Sequence, residues 1–301
     1  MKYVRKILSL LLSLWLLLTI IFFLQRLLPG NPAELILGVD ASEESKRIWL
    51  QQHGMDLSLI TQYQNYFLGL LKGNLGITYF DGTEITPLLL KRLGVSMQLG
   101  FFAYIVALLG AMLGLYFSER NQLLKSIIKN AAFVSASLPG SILGPILIWL
   151  FAVKFQVFPV GGMQGSISLI LPMITLAVPL MGNQFRYLES TMKDISLKEF
   201  IRVARAKGVN EHKLFMTHKL TLLIYAALPI FSLQLGALLT GVVITEVVFS
   251  YPGLGTLTLQ SVLMREYSLA SACVLVTATM YIIINTLNDL FLSMKDPRRY
   301  G

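Results

Sequence analysis

Six stretches of the chain stay apolar for about the twenty residues that a helix needs to cross a bilayer. They are Ile7 to Leu28, Ser96 to Phe117, Ala131 to Val153, Ser168 to Phe185, Leu222 to Val248 and Leu269 to Leu292. This pattern predicts an all-α, polytopic membrane protein with six transmembrane helices. The first stretch comes after a basic start, Met1-Lys-Tyr-Val-Arg-Lys6, as in a secretory leader. Ile7 to Leu24 is nevertheless uncharged for longer than a leader's apolar region and no small-residue cleavage site comes after it, so it is read as a retained span. Pro139-Gly140 and Gly144-Pro145 interrupt the third stretch, and Pro172 and Pro179 the fourth. In lipid the backbone groups freed by such breaks need partners from neighbouring helices or a wet cavity. These spans are therefore either kinked helices packed against protein or walls of a pathway. Gly110 and Gly114, four apart, permit close helix approach in the second span.

Between the first two spans, Gly30 to Val95 is polar by comparison and too long for a plain connection, so it is expected to fold as a small helical layer. Ser42 can cap a short helix that Gly54 closes, and Gln62 to Leu71 reads as a second one. The other long loop, 192–220, carries the sharpest local pattern. Ser196-Leu-Lys-Glu199 has the form of a capping box, Gly208 is a helix stop, and Asn210 can cap the next helix. Leu197, Phe200, Ile201 and Ala204 fall at i, i+3, i+4 and i+7, with Lys198, Arg202 and Arg205 opposite. A helix of about ten residues with one apolar stripe is marginal alone. It either lies on lipid headgroups or seats an apolar knob in a partner's groove.

Composition sharpens the membrane reading. Of 301 residues 55% are hydrophobic and only 14% charged, where a soluble domain has roughly a quarter charged, and the mean hydropathy is +0.67. A soluble enzyme is excluded. The net charge of +9 is explained by orientation rather than nucleic acid. Seventeen of the 25 basic residues flank the spans on the side that holds both termini and the 192–220 loop, against eight on the other. The positive-inside rule puts that side in the cytoplasm and Gly30 to Val95 outside.

Catalytic patterns are absent from the sequence. His212 and His218 are six apart, His53 stands alone, and Cys273 is the single cysteine, so no local zinc motif forms. Neither a GxxxxGK[ST] phosphate loop nor a GxSxG elbow occurs. Any energy source must belong to another chain. Within or beside the later spans, Glu246, Arg186, Asn285 and Asp289 are the polar candidates for a pathway or for structural pairing. A carboxylate at mid-bilayer costs about 2.5 to 3.5 kcal/mol, so each is expected to face protein or water. A self-sufficient secondary transporter or channel predicts inverted repeats and midplane ion ligands, and an intramembrane enzyme predicts a nucleophile or acid-base set. The sequence presents none of these convincingly.

Taken in order, these residues resemble the inner-membrane permease subunits of binding-protein-dependent ABC importers, of the dipeptide, oligopeptide and nickel type. The likeness runs through Arg26-Leu-Leu-Pro-Gly-Asn-Pro32, Gly54-Met-Asp56, Gln62-Tyr63, Gly73-Asn-Leu-Gly76, Leu138-Pro139 and Phe158-Pro-Val-Gly161. It is densest from Arg202-Val-Ala-Arg-Ala-Lys-Gly208 with His218, through Leu233-Gln-Leu-Gly236 and Glu246-Val-Val-Phe-Ser-Tyr-Pro-Gly-Leu-Gly255. Arg265-Glu-Tyr267, Asn285, Asp289 and Asp296-Pro-Arg298 complete it. The resemblance implies a MetI-like fold, with a span and extracytoplasmic region over 1–95 and the permease domain over 96–301. It makes the 192–220 segment the family's EAA loop, in which Leu197, Phe200, Ile201, Arg202, Ala204, Arg205, Ala206, Lys207 and Gly208 meet a cytoplasmic ATPase. The general EAA-x-x-x-G pattern starts here with Arg202 and Val203. Implied partners are a second permease subunit, two ATPase subunits that hold ATP and magnesium, and an extracytoplasmic binding protein. No cofactor, metal or catalytic residue is expected on this chain, and the implied cargo is peptides, nickel or metal chelates.

Overall fold

The computed structural model describes residues 2–27 and 32–295, and all regular structure among them is helical. Positions 28–31 of the first family-like motif, and the terminal Asp296-Pro-Arg298 with Arg299, lie outside the described residues. Four helical segments are each long and apolar enough to cross a membrane: Lys6–Leu27, Ile85–Ser118, Ser166–Ser196 and Tyr267–Leu290. A bent pair, Gln122–Ser137 with Gly140–Lys154, passes the same test when taken together. The stretch expected to be the fifth span is a 29-residue helix, Leu220–Val248.

The helices group into two compact units. The first joins Met1–Val95 to Pro252–Ile283. It holds α1 (Lys2–Leu27), α2 (Pro32–Leu37), α3 (Glu43–Gln52), α4 (Leu59–Leu71) and the start of α5 (Ile85–Ser118). It also holds α12 (Leu254–Leu263) and the first part of α13 (Tyr267–Lys295). Ser42 caps α3 as expected, its Oγ accepting from the Ser45 N–H at 3.1 Å. Gly54 sits beyond the end of α3 at φ +62°, a region that suits glycine. α4 starts three residues earlier than the pattern suggested, because Ser58 caps it through the Thr61 N–H. Tyr63 on α4 meets α1 by a 2.8 Å hydroxyl pair with Thr19 and an edge contact to the fully buried Phe22. Arg26 at the end of α1 donates to Gln62 Oε1 at 2.6 and 3.1 Å.

α12 is a short apolar helix that the sequence pattern did not separate from its neighbours. It shares a core with α5 and α13: Ile85, Leu89, Leu254, Leu257, Leu269 and Cys273 are all buried. A tight loop over 77–84 is pinned to the same unit by Glu266. Its two carboxylate oxygens accept the N–H groups of Tyr79 and Phe80 at 3.0 and 3.1 Å. Burial pushes the Glu266 carboxyl up, and those two backbone donors pull against that shift.

The second unit joins Ser96–Tyr251 to Ile284–Gly301. The third expected span, Ala131 to Val153, is not one helix. It breaks into α6 (Gln122–Ser137) and α7 (Gly140–Leu147), which continues as a π-helical segment, Ile148–Lys154, and the two halves meet at 104°. Pro139 explains the break. It disfavours helical geometry at the preceding residue, and Leu138 is extended at φ −83°, ψ 114°. The fourth span is also longer than expected. α8 (Ile170–Ser196) runs ten residues past Arg186, which therefore does not close it. Pro172 falls in the first turn of α8, where its missing N–H costs no helical bond.

α6 packs along α8, and α8 along α11 (Leu220–Val248). The core of this unit gathers Leu115, Phe185, Leu188, Met192, Ile195 and Leu223, with Ala111, Ala132 and Ala227 between them. Gly110 of the expected small-residue pair lies against Met181 of α8. The closest approach is at Gly182, where a β-carbon would sit 2.5 Å from the Ala132 carbonyl oxygen and 2.7 Å from the Ala136 nitrogen of α6. Backbone cannot retreat as a flexible side chain does. Gly182→Ala is therefore expected to destabilise the detergent-solubilised protein by about 1–3 kcal/mol through overpacking. Gly94→Ala, which meets nothing within 4 Å, serves as the control. Equal thermal melting of the two variants contradicts this packing.

Candidate functional site

Phe185, Leu188, Met192 and Ile195 are all buried and recur on one face of α8, so packing carries that helix through Ser196. Ser196 consequently has a helical backbone and cannot be an N-cap, which corrects the capping-box expectation. The cap of the next helix, α9 (Glu199–Ala206), is Lys198, extended at φ −67°, ψ 140° and without a side-chain cap bond. At eight residues α9 is shorter than the ten expected.

The stop is where the sequence placed it. Gly208 has φ +78°. Its N–H donates to the Arg205 carbonyl at 3.0 Å, and the Val209 N–H donates to Ala204 at 3.2 Å. This is the paired arrangement that closes a helix on a left-handed residue. Asn210 then caps α10 (Glu211–Leu214), its side-chain oxygen accepting from the His212 N–H at 3.0 Å. A π-helical turn, Phe215–Lys219, leads into α11.

The apolar stripe divides in two. Ile201 is fully buried in its own chain, whereas Phe200 is 44% exposed and Leu197, in the link before α9, is 76% exposed. Val203, which the stripe did not include, is 52% exposed. Ala204 is half-buried, and Arg202, Arg205, Ala206, Lys207 and Gly208 face solvent. One apolar residue thus anchors the helix, and the others stand outward among exposed cations. The arrangement offers an apolar knob with a basic surround.

Arg205 joins charges that the sequence pattern did not single out. Arg205 Nε donates to Glu211 Oε1 at 2.5 Å. Lys219, only 3% exposed, lies 3.5 Å from Glu211 Oε2 and 3.7 Å from Glu119 Oε2, and Lys125 lies 3.7 Å from Glu119 Oε1. The hydrogen bond from Arg205, with Lys219 adding its charge, holds the Glu211 carboxyl below the usual carboxylate range, and the same pairing raises Arg205. His212 joins in, with Nδ1 at 3.2 Å from the Tyr116 hydroxyl and 3.1 Å from Arg120. The available signal was slight: Glu119 is the single acidic residue in the connection between the second and third apolar stretches.

The intramembrane candidates are dispersed along the helices. Glu246, near the end of α11, is fully buried and accepts a 2.5 Å hydrogen bond from Ser96 Oγ. Arg186 is exposed, its guanidinium 5.6 Å from the Phe133 ring centre. Asn285 is half-buried and Asp289 exposed on α13. Among the described residues, no group of three or more His, Cys, Asp or Glu is placed to hold a metal ion.

Long apolar helices, a bent helix pair and a short helix closed at Gly208 describe a polytopic membrane protein. The chain belongs to the family described as binding-protein-dependent transport system inner membrane component, whose profile matches residues 87–300. The corresponding N-terminal family profile matches residues 1–99. A probable peptide ABC transporter permease protein, y4tP of Sinorhizobium fredii, is 29% identical over 92% of this chain and 92% of its own length. The glutathione transport system permease protein GsiC of Salmonella choleraesuis is 30% identical over 97% of this chain and 96% of its own length. Among solved structures, the MetNI methionine ABC transporter in an inward-facing form aligns with a TM-score of 0.54 at 17% identity, over 69% of this chain and 96% of that one. The fold is thus MetI-like, and the protein is a multi-pass inner-membrane permease subunit of an ABC importer, which works with ATPase and binding-protein partners. This displaces the self-sufficient transporter or channel.

A carboxylate with a lowered folded-state pKa adds stability above its unfolded value, and that stability is lost as pH falls through the folded value. For Glu211 the window therefore lies below its ordinary 4.5. Amide-exchange protection over 199–219, corrected for intrinsic rates, is expected to drop on acidification below that point. In Glu211→Gln it is expected to be lower at neutral pH and to drop less. Identical profiles for the two proteins contradict the pairing.

Proposed function

We propose that this chain forms one half of the translocation pathway of a peptide importer and is driven through α9. One observation carries the reading: Leu197 in the link before α9, and Phe200 and Val203 on α9, stand exposed, while Ile201 is the one residue of α9 buried in its own chain. Burying such side chains in a partner's cleft is worth about 1.5–3 kcal/mol each. Arg202, Arg205 and Lys207 lie beside them to complete the contact with charge. The occupant is a cytoplasmic ATPase subunit that holds ATP and magnesium, and no catalytic step falls on this chain. ATP binding closes a pair of ATPases, α9 moves with them as a lever, and the bundle switches access from one side of the membrane to the other.

The excess of basic residues on the side of the termini supports a cytoplasmic placement for both termini and for 192–220. The layer over 30–95 then faces the binding protein, and a second, homologous permease subunit supplies the other half of the pathway. Glu246, Arg186, Asn285 and Asp289 remain the candidates for lining that pathway or bracing its walls. Peptides are favoured as cargo over nickel or metal chelates because the names of the two relatives refer to peptide and to glutathione, itself a small peptide.

Phe200→Asp is expected to abolish uptake and co-purification of the ATPase subunits while leaving membrane insertion intact. Gly208→Val is expected to abolish uptake as well, because a β-branched residue at φ +78° costs about 1–3 kcal/mol and disrupts the stop. Unchanged uptake in both variants contradicts the docking role. In the assembled transporter, a labelled tripeptide is expected to be taken up, and uptake of nickel alone contradicts the cargo reading.

A further inference from the structure

The turn between α9 and α10 is a short run of backbone. Its chain passes through Gly208, at φ +78°, then Val209 and Asn210. The two backbone hydrogen bonds that close this turn, from the Gly208 N–H to Arg205 and from the Val209 N–H to Ala204, return to α9 itself and do not tie it to α11. The structure spans this turn with side chains: Arg205 on α9 reaches Glu211 on α10 at 2.5 Å.

Behind that brace lies Lys219. It is the last residue before α11, its side chain is 3% exposed, and its ammonium stands between two carboxylates. Each carboxylate divides its oxygens between two cations. Glu211 takes Arg205 on one oxygen and Lys219 on the other. Glu119, just past the end of α5, takes Lys219 on one and Lys125 of α6 on the other. The charges alternate through five side chains and touch α9, α10, α11, α6 and the end of α5. The outer members are 25% to 58% exposed and the centre is not, so only the central link is shielded from the solvent that weakens surface pairs.

We infer that Lys219 is the positioning residue that roots the docking helix on the transmembrane bundle, converting displacement of α9 into displacement of α5 and α11 across the Gly208 turn. This rests on the docking role of α9. It differs from docking in the effect of its loss: without Lys219 the ATPases still seat on the knob, but their cycle turns without moving the bundle.

The test uses the full complex reconstituted in vesicles with its ATPase subunits and binding protein. Three quantities are read: ATPase co-purification, the rate of ATP hydrolysis, and cargo taken up per ATP hydrolysed. Lys219→Met is expected to keep the first two and to lower the third roughly tenfold, the upper part of the range for residues along a coupling route. Lys219→Arg, which keeps the charge, is expected to restore most of it. Because Lys219→Met strands two carboxylates, the neutral combination Lys219→Met, Glu119→Gln, Glu211→Gln is made beside it. It is expected to melt near the wild-type temperature and still to be uncoupled. Unchanged uptake per ATP in either Lys219→Met or the triple combination overturns the proposal, and so does Lys219→Arg behaving like Lys219→Met. If both Lys219→Met and the triple combination unfold, the network is a folding element alone and the proposal also falls. Loss of the ATPase subunits from Lys219→Met would place the residue in docking and overturn it too. Failure of the docking role itself shows separately, as ATPase subunits that stay with Phe200→Asp.

Discussion

An eight-residue helix in water has too few hydrogen bonds to offset the cost of nucleating it, so α9 persists only through what the rest of the chain does for it. Three local devices supply this. Ile201 is buried completely, Gly208 ends the helix with two returned hydrogen bonds, and Arg205 is tied to Glu211. Because one apolar residue suffices as the anchor, Leu197, Phe200 and Val203 are left exposed. In the proposed reading, the docking surface is the remainder after folding has taken what it needs.

The bundle behind it obeys a different constraint. In hydrocarbon, backbone polar groups must be satisfied within the protein, so deviations from straight helix occur where packing covers them. The 104° turn at Pro139 is such a place, as is the tight crossing of α6 and α8 at Gly182. Both lie in the unit that carries α9. A bundle that is closely packed yet broken at a defined point can shift between discrete arrangements rather than deform continuously. This is the property an alternating-access permease requires.

Much of this was legible in the amino-acid order because the determining signals are local. Gly208 and Asn210 announce a stop and a cap, and Ser42 and Gly54 bracket α3, since each acts within four residues of itself. The apolar runs announce helices for the same reason. Where the sequence misled, a distant partner had intervened. Ser196 looks like a cap, but the buried face of α8 overrides it by extending that helix. Pro139 reads as an interruption, yet its angle depends on what α7 packs against. Lys219 is a basic residue in a basic loop, and only the fold shows that Glu119, one hundred positions earlier, meets it in the interior. Glu266 likewise finds Tyr79 and Phe80 across 187 and 186 residues.

The central claim is that α9 is seated in a nucleotide-driven partner. It is tested most directly by attaching a photoreactive probe at Val203→Cys in the assembled importer. Val203 is exposed, and the native Cys273 is buried and so a poor competitor for the label. On illumination the account predicts an adduct with the ATPase subunit, in a yield that changes when ATP is added. Adducts confined to lipid or to the permease's own helices, indifferent to nucleotide, would contradict it.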